Sequence, residues 1–599
     1  MPTATPTCLL AALGTLVVVA TGQAQAKVDA QIVAPNEDGL TYYISPGGGH
    51  LVAVTQRGSR YVVTRDGAPG PQVDQILNPG TASWIMAFSP DGERYGYSAK
   101  VGDDWIVVVD GKEVLRRPIG TNGLIRRGGG PRVQFSPGGK HWFVHYHNPD
   151  ARLPTEDPAW FAWNGVPGPK GADHGIAVSP DGARHAYVVT NPANPSQQAL
   201  IVDGKPAGYA GFDPVFSADG TRLYATRQVR AAQGPPLTEL LMDGRVLARA
   251  LNIKINIPPV GPGALVLVGR DKPGVGQRWA ILGGSAIVPN SESPQLGPVW
   301  FSPDGKHYAV RAVAEGGGTA VSLIVDGVRG RDYASIDSVR FTEDGKAAYV
   351  ARAGTRWFVV TGDQESDLAL QSISLALATA KGNRLGYTGS TAAGPVVVVD
   401  GKVNRIEGRL AQVDAFSFSP DGTKFAYWVG TAGAPGGVIS VDGAPGVPSL
   451  ASDFAQYRAG DPVRYLWSPD SRFTVHYGAP GTQGFGGEYG LFLGDRYHSL
   501  GKVARIALPV FTPDARHLFW MVEAGQRGMI EVWLDGTKVF EFDDQGRQPL
   551  TTPGGHVMGA DGVLTFIVQT VEGFKRVRIT PGPEHGVEAL LAKAKPVKR

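Results

Sequence analysis

Cysteine is all but absent. The 599 residues contain one, Cys8, and it lies in a leader-like segment at the N-terminus. A chain that loses this leader has no thiol, which excludes disulfides, zinc–thiolate centres, haem attachment through Cys-x-x-Cys-His and cysteine nucleophiles. An excess of one charge is lacking too: 57 Lys and Arg against 54 Asp and Glu leave a formal net charge of +3. Over such a length this balance gives no grounds for a nucleic-acid partner. No run is long enough for a membrane span. The uncharged, mostly apolar stretch from Cys8 to Ala20 has thirteen residues, whereas a transmembrane helix takes about 20. It is followed by Thr21, Gly22 and the small-residue pattern Ala24-Gln25-Ala26, the form of a secretory signal cleaved before Lys27. No Lys or Arg precedes the run, and Pro6-Thr7 before Cys8 is not a lipobox, so no lipid anchor is expected. Residues 1–26 are therefore read as a signal peptide, and the mature protein as periplasmic or secreted.

What is abundant is turn formers: 82 glycines and 46 prolines, spread along a chain that is 42% hydrophobic. Many short elements joined by tight turns are implied. Their order is a repeat. Phe88-Ser89-Pro90-Asp91-Gly92 returns as Phe135-Ser136-Pro137-Gly138-Gly139, Val178-Ser179-Pro180-Asp181-Gly182 and Phe216-Ser217-Ala218-Asp219-Gly220. It recurs at Phe301-Ser302-Pro303-Asp304-Gly305 and Phe418-Ser419-Pro420-Asp421-Gly422, with weaker copies at Ser45, Thr342, Ser468 and Thr512. Degenerate copies near Pro258, Ala380 and Ala560 bring the count to about thirteen, spaced roughly 37 to 49 residues apart. An apolar run precedes each motif, and a second strand follows the turn. A third run then ends in Asp-Gly, as in Val107-Val108-Val109-Asp110-Gly111 and Trp533-Leu534-Asp535-Gly536. Asp-Gly between apolar runs is a strong hairpin signal, because a type I′ turn needs positive φ at both central residues. Four antiparallel strands per repeat make the blade of a β-propeller.

The Phe-Ser-Pro-Asp-Gly element with its later Val-Asp-Gly resembles the WD-repeat-like propeller repeats of TolB-type periplasmic proteins. It is also similar to the N-terminal propellers of prolyl-oligopeptidase-type enzymes. The resemblance covers nearly all of residues 40 to 580 and implies an all-β fold, while the repeat serves many unrelated functions. Thirteen blades exceed the four to eight of one ring, so tandem propellers of six to seven blades are expected. The division is placed at Pro289–Pro294, giving a first propeller at 27–293, a second at 294–582 and a basic C-terminal tail at 583–599. That tail, with Lys593, Lys595, Lys598 and Arg599, reads as a solvated, frayed end. The segment from Val28 to Tyr43 is a candidate closing strand for the first or last blade.

No catalytic constellation stands out. The Gly-x-Ser-x-Gly elbow of an α/β-hydrolase is absent from the sequence, and Gly389-Ser390-Thr391 is the nearest serine-rich turn. His141, His145 and His147 alternate along a strand and so share a face. His141, however, recurs in register as His307 and His517, with His185 one place later, and is read as part of the repeat. Asp91, Asp181, Asp304 and Asp421 are read as turn formers and not as calcium ligands, which would need six to eight oxygens. Trp160, Phe161 and Trp163 are candidate loop aromatics for a recognition surface, beside the insertion Pro149–Pro158. No catalytic, metal or cofactor residues are assigned, and no cofactor is expected. The sequence leads to an exported non-catalytic scaffold that binds a protein, peptide or glycan through loop faces or a central channel. The alternative is an envelope hydrolase or lyase with its site at a channel mouth.

Overall fold

A computed structural model describes residues 26–35, 41–76, 86–118, 131–146, 160–191, 194–230, 235–251, 253–268, 278–283, 286–287, 296–313, 319–366, 368, 370–406, 411–431, 436–444, 446–450, 465–478, 489–506, 509–524, 528–543, 556–583 and 586–597. The chain is an all-β protein of propeller blades. Among the described residues the strands form thirteen antiparallel sheets, ten of four strands and three of five. A representative blade runs Phe212–Phe216, Leu223–Val229, Leu237–Met242 and Arg245–Ala250, each strand beside its neighbour in sequence.

The two turn motifs behave as their chemistry dictates. The Asp-Gly pairs adopt positive φ at both positions, 51° and 78° at Asp110-Gly111 and 49° and 84° at Asp535-Gly536, as a type I′ turn requires. In the Ser-Pro-Asp-Gly turns the glycine is also left-handed. At Gly182 (φ 71°) a Cβ would stand 2.8 Å from Ser136 Oγ in the turn of the preceding blade. Only glycine both adopts the dihedral and lets the successive turns stack.

Blades join through apolar faces. Val188, Leu200, Phe216, Ala225 and Leu241 form one buried layer between the blade holding Ser179 and that holding Ser217. Tyr224 and Leu240, on the other face of the latter, pack with Ile253 and Ile255 of the next.

The described contacts divide the chain into two units. One comprises Ile76–Ser452, with nine of the sheets. The other comprises Met1–Gln75 with Asp453–Lys598 and holds the first sheet and the last three. The expected boundary between 293 and 294 lies outside the described residues, as do residues 1–25 of the expected signal peptide.

In the terminal unit the strand Ala26–Ala34 pairs antiparallel with Gly573–Pro581, from Ala26 opposite Pro581 to Ala34 opposite Phe574. It is thus the outermost strand of the last blade, whose other strands come from the opposite end of the chain. Val33, Ala34, Leu51, Ile567 and Phe574 share one buried cluster, so the last blade packs on the first. Arg576 pins the same junction through Gly49 O (3.2 Å) and Asp66 Oδ2 (3.1 Å).

The C-terminal segment is not a frayed end. Val587–Lys593 is a helix whose Val587 and Leu590 are buried against Val475, Leu491, Leu518 and Trp520 of the two blades below. Lys595–Pro596 then adds a fifth strand beside Arg496–Gly501. The apolar spacing of Val587, Leu590 and Leu591 marks one helix face, and its burial outweighs the basic residues that suggested solvation.

Candidate functional site

Each blade has two unlike ends. One carries the Ser-Pro-Asp-Gly and Asp-Gly turns, and its polar groups are spent on one another. The motif hydroxyl donates to the aspartate two residues on, at 2.6 Å for Ser217–Asp219 and Ser302–Asp304 and 2.7 Å for Ser419–Asp421 and Thr512–Asp514. The same oxygen accepts a backbone N–H five residues on, as Ser302 Oγ does from His307 N (2.9 Å). The hydrogen bond from Ser302, joined by the Lys306 backbone N–H, holds Asp304 down to about 2. The Asp-Gly carboxylate accepts the first N–H of the second strand and pairs with the side chain before it. That partner is arginine in Arg94–Asp110 (2.8 Å), Arg222–Asp243 (2.9 Å) and Arg384–Asp400 (2.8 Å).

This explains the recurring histidines. His50–Asp66 (2.6 Å), His307–Asp326 (2.7 Å) and His517–Asp535 (2.7 Å) occupy the arginine position of the same staple. His141 does likewise with Asn164 (2.8 Å). His185, one place on, stacks on Trp163 at 4.3 Å between centroids. His145 faces Phe161 and Arg132 across the sheet, four residues from His141, and His147 lies outside the described residues. No group of three or more metal-ligating side chains forms among the described residues. Asp535 is the most enclosed staple, with a side chain 0% exposed against 43% for Asp203. Its loss strands the Leu518 N–H (2.9 Å) and His517. Asp535→Ala is expected to cost about 2–3 kcal/mol and Asp203→Ala under about 1 kcal/mol, a gap that denaturant melts of the two variants will measure.

Three other sequence candidates move. Trp160, Phe161 and Trp163 form a strand and not a loop. Trp160 and Phe161 are 3% and 1% exposed, so they build the junction between blades and offer no recognition surface. Ser390 lies on the strand Arg384–Thr391 with its hydroxyl bonded to Ser372 Oγ (2.7 Å), not on an elbow. The insertion Pro149–Pro158 lies outside the described residues.

The opposite blade end is where blades differ. Connections between second and third strands run from residues 58–59 in one blade to 147–159 in another. Charged and aromatic groups also gather at this end, and some of them recur: Lys100 stands opposite Trp105 in one blade as Arg352 stands opposite Trp357 in another. The Arg117 guanidinium lies 4.9 Å from the ring centre of Trp160, and Arg352 stacks on Trp357 at 5.7 Å. Glu523, 4% exposed, accepts the Gly528 N–H (2.6 Å). Glu239 is clamped between Arg227 and Arg249. Of these, sequence reading singled out Trp160 alone, because the other pairings are set by strand register and not by a turn motif.

No protein-family model and no curated protein matches the chain. Among solved structures, the acylaminoacyl peptidase of Pyrococcus horikoshii matches at 10% identity and TM-score 0.23, over 48% of this chain and 55% of that one. Tricorn protease matches at 13% identity and TM-score 0.21, over 88% of this chain and 62% of that one. The propeller domain of the Trilobed protease from Pyrococcus furiosus matches at 11% and 0.22, over 53% and 97%. The chain thus spans a little over half the length of the first two. These neighbours are peptidases, so the expectation of a non-catalytic scaffold is corrected and not kept; its alternative, a hydrolase, is taken up below as a proposal. The likeness itself is one of repeat architecture, and activity is argued from the blades.

Proposed function

We propose that the protein is an exported hydrolase of the cell envelope, acting on peptide or glycan, with a site assembled at the variable ends of the blades. One observation carries this reading: the constant ends are consumed by structural bonding. There the motif hydroxyls, aspartates and most histidines hold turns and staples, so their lone pairs and protons serve the fold. At the other end, carboxylates and guanidiniums such as Glu239 and Arg117 take no part in the turn motifs, which suits a site whose parts come from different blades. The TolB-type repeat grammar and the apolar leader before Ala24-Gln25-Ala26 support the periplasmic or secreted address. Cleavage before Lys27 leaves the closing strand nearly whole.

The test is to incubate mature protein, residues 27–599, with peptidyl p-nitroanilides, p-nitrophenyl esters and envelope-derived peptides and glycans, following products by mass spectrometry. Cleavage of one class, in proportion to enzyme, is expected. Recovery of every class intact over long incubation at high enzyme concentration would sink the reading.

A further inference from the structure

We infer that Arg227, Glu239 and Arg249 form a preorganised anchor for a ligand carboxylate, in addition to and independent of any hydrolytic centre. The three residues lie in one row across adjacent strands: Arg227 pairs with Glu239, and Glu239 with Arg249. They occupy the variable end of the blade, on the face whose Ala225 and Leu241 pack against the preceding blade. Glu239 is the fixed centre, its side chain only 2% exposed. Arg227 donates from Nε (2.9 Å) and Nη2 to Glu239 Oε2, and Arg249 donates from Nε (2.6 Å) to Oε1. Burial alone would raise the Glu239 carboxyl, but the hydrogen bonds from Arg227 and Arg249 outweigh it and hold the group below the ordinary glutamate value. The centre is therefore an anion at neutral pH.

Two cations around one anion leave a net positive charge. The Arg249 side chain is 64% exposed, and neither of its terminal nitrogens has a hydrogen-bond partner among the described residues. The two arginines divide the buried carboxylate between them, Arg227 at Oε2 and Arg249 at Oε1, but Arg249 uses only its Nε for this. What the arrangement achieves is to hold a guanidinium by its Nε edge while its outer N–H groups face water. The planar fork of a guanidinium matches a carboxylate through two parallel hydrogen bonds. Holding the fork in place beforehand spares the ordering cost that a flexible arginine would bear on binding. A ligand with one free carboxylate, such as the C-terminus of a peptide or an acidic sugar, restores neutrality. This inference does not rest on the proposed hydrolysis, and binding is read without turnover.

The probes are acetylated tetraalanine as free acid and as C-terminal amide, titrated by calorimetry into mature residues 27–599. The acid is expected to bind and the amide not. Arg249→Gln should weaken the acid at least tenfold, and Arg249→Lys, which keeps the charge but loses the fork, should recover only part of that. Because Arg249→Gln takes a partner from the buried Glu239, it should melt earlier than the wild type; affinities are therefore compared at a temperature where every variant is folded, and Arg227→Gln provides a second loss-of-affinity variant. No heat with the acid, equal binding of acid and amide, or wild-type affinity in Arg249→Gln would each overturn the assignment. Failure of hydrolysis with intact acid-selective binding leaves the anchor standing and removes only the enzyme.

Discussion

Deletion of residues 26–34 is expected to destabilise the terminal unit by at least about 5 kcal/mol. Val33 and Ala34 are each 4% exposed, and Val28 and Ala30 pack on the cluster of Ile530, Val532, Phe566 and Val577. Burial of an aliphatic side chain contributes about 1.5–3 kcal/mol, and each ladder hydrogen bond about 0.5–1.5 kcal/mol. Several of each vanish together when the strand is lost. The chain-closure effect comes on top, because this strand joins the first blade to the last and Arg576 loses its partner Gln31 (3.0 Å). The strand Gly573–Pro581 would become an open edge, a template for association with other chains. The truncated chain should therefore melt earlier than the full one and aggregate. A synthetic peptide of residues 26–35 added in trans should restore part of the loss. Val33→Asp, which buries an unpaired charge, should cost more than about 3 kcal/mol in the full chain. A truncated protein that melts with the wild type would show that closure of the terminal unit does not depend on this strand.

The sequence made the repeat legible because the repeat is local chemistry. Asp110-Gly111 and its sisters demand positive φ wherever they occur, and the structure places them there with little scatter. The Val28–Tyr43 segment was read as a candidate closing strand for the first or last blade, and the structure pairs Ala26–Ala34 with Gly573–Pro581 of the last blade. The histidines were rightly tied to the repeat, although their role was hidden: His307 stands where Arg94 stands, and the shared aspartate partner appears only when two turns meet in space. Trp160 was misplaced because its strand follows a long connection and begins without the usual turn signal. The C-terminal helix was missed because Lys593 and Lys595 dominated a short segment whose only apolar face, Val587, Leu590 and Leu591, has no meaning until a surface covers it. The Arg227–Glu239–Arg249 row was invisible for a related reason. Residues ten and twelve apart become neighbours only once the strand register is fixed.

Leu590→Asp tests that helix and should lower stability by about 3–5 kcal/mol, the range for losing a large buried aliphatic side chain, with the unpaired carboxylate adding to it. Leu590 is fully buried in the cluster that joins the blades at Val475–Leu493 and Leu518–Val522. Leu590→Ala should lie lower in the same range. The helix is further tied by Arg472–Glu588 and by Arg496 Nη1 to Leu591 O (2.9 Å). These are surface contacts, so Glu588→Gln should cost under about 1 kcal/mol. The helix also shapes a pH dependence. His498 lies 5.7 Å from Trp520 between ring centres, and burial, aided by nearby Lys593, pushes its pKa below the ordinary value. A histidine with a depressed folded pKa contributes stability that is fully present above its unfolded pKa, about 6.5, and is lost as pH falls below it. Denaturant midpoints of the wild type should therefore drop between about pH 7.5 and about pH 5.5, and more steeply than those of His498→Asn. In Leu590→Asp the helix no longer covers His498, so the difference between the two backgrounds should shrink. If His498→Asn leaves the pH slope unchanged, the slope arises elsewhere, with His185 next in line, since burial depresses its pKa too.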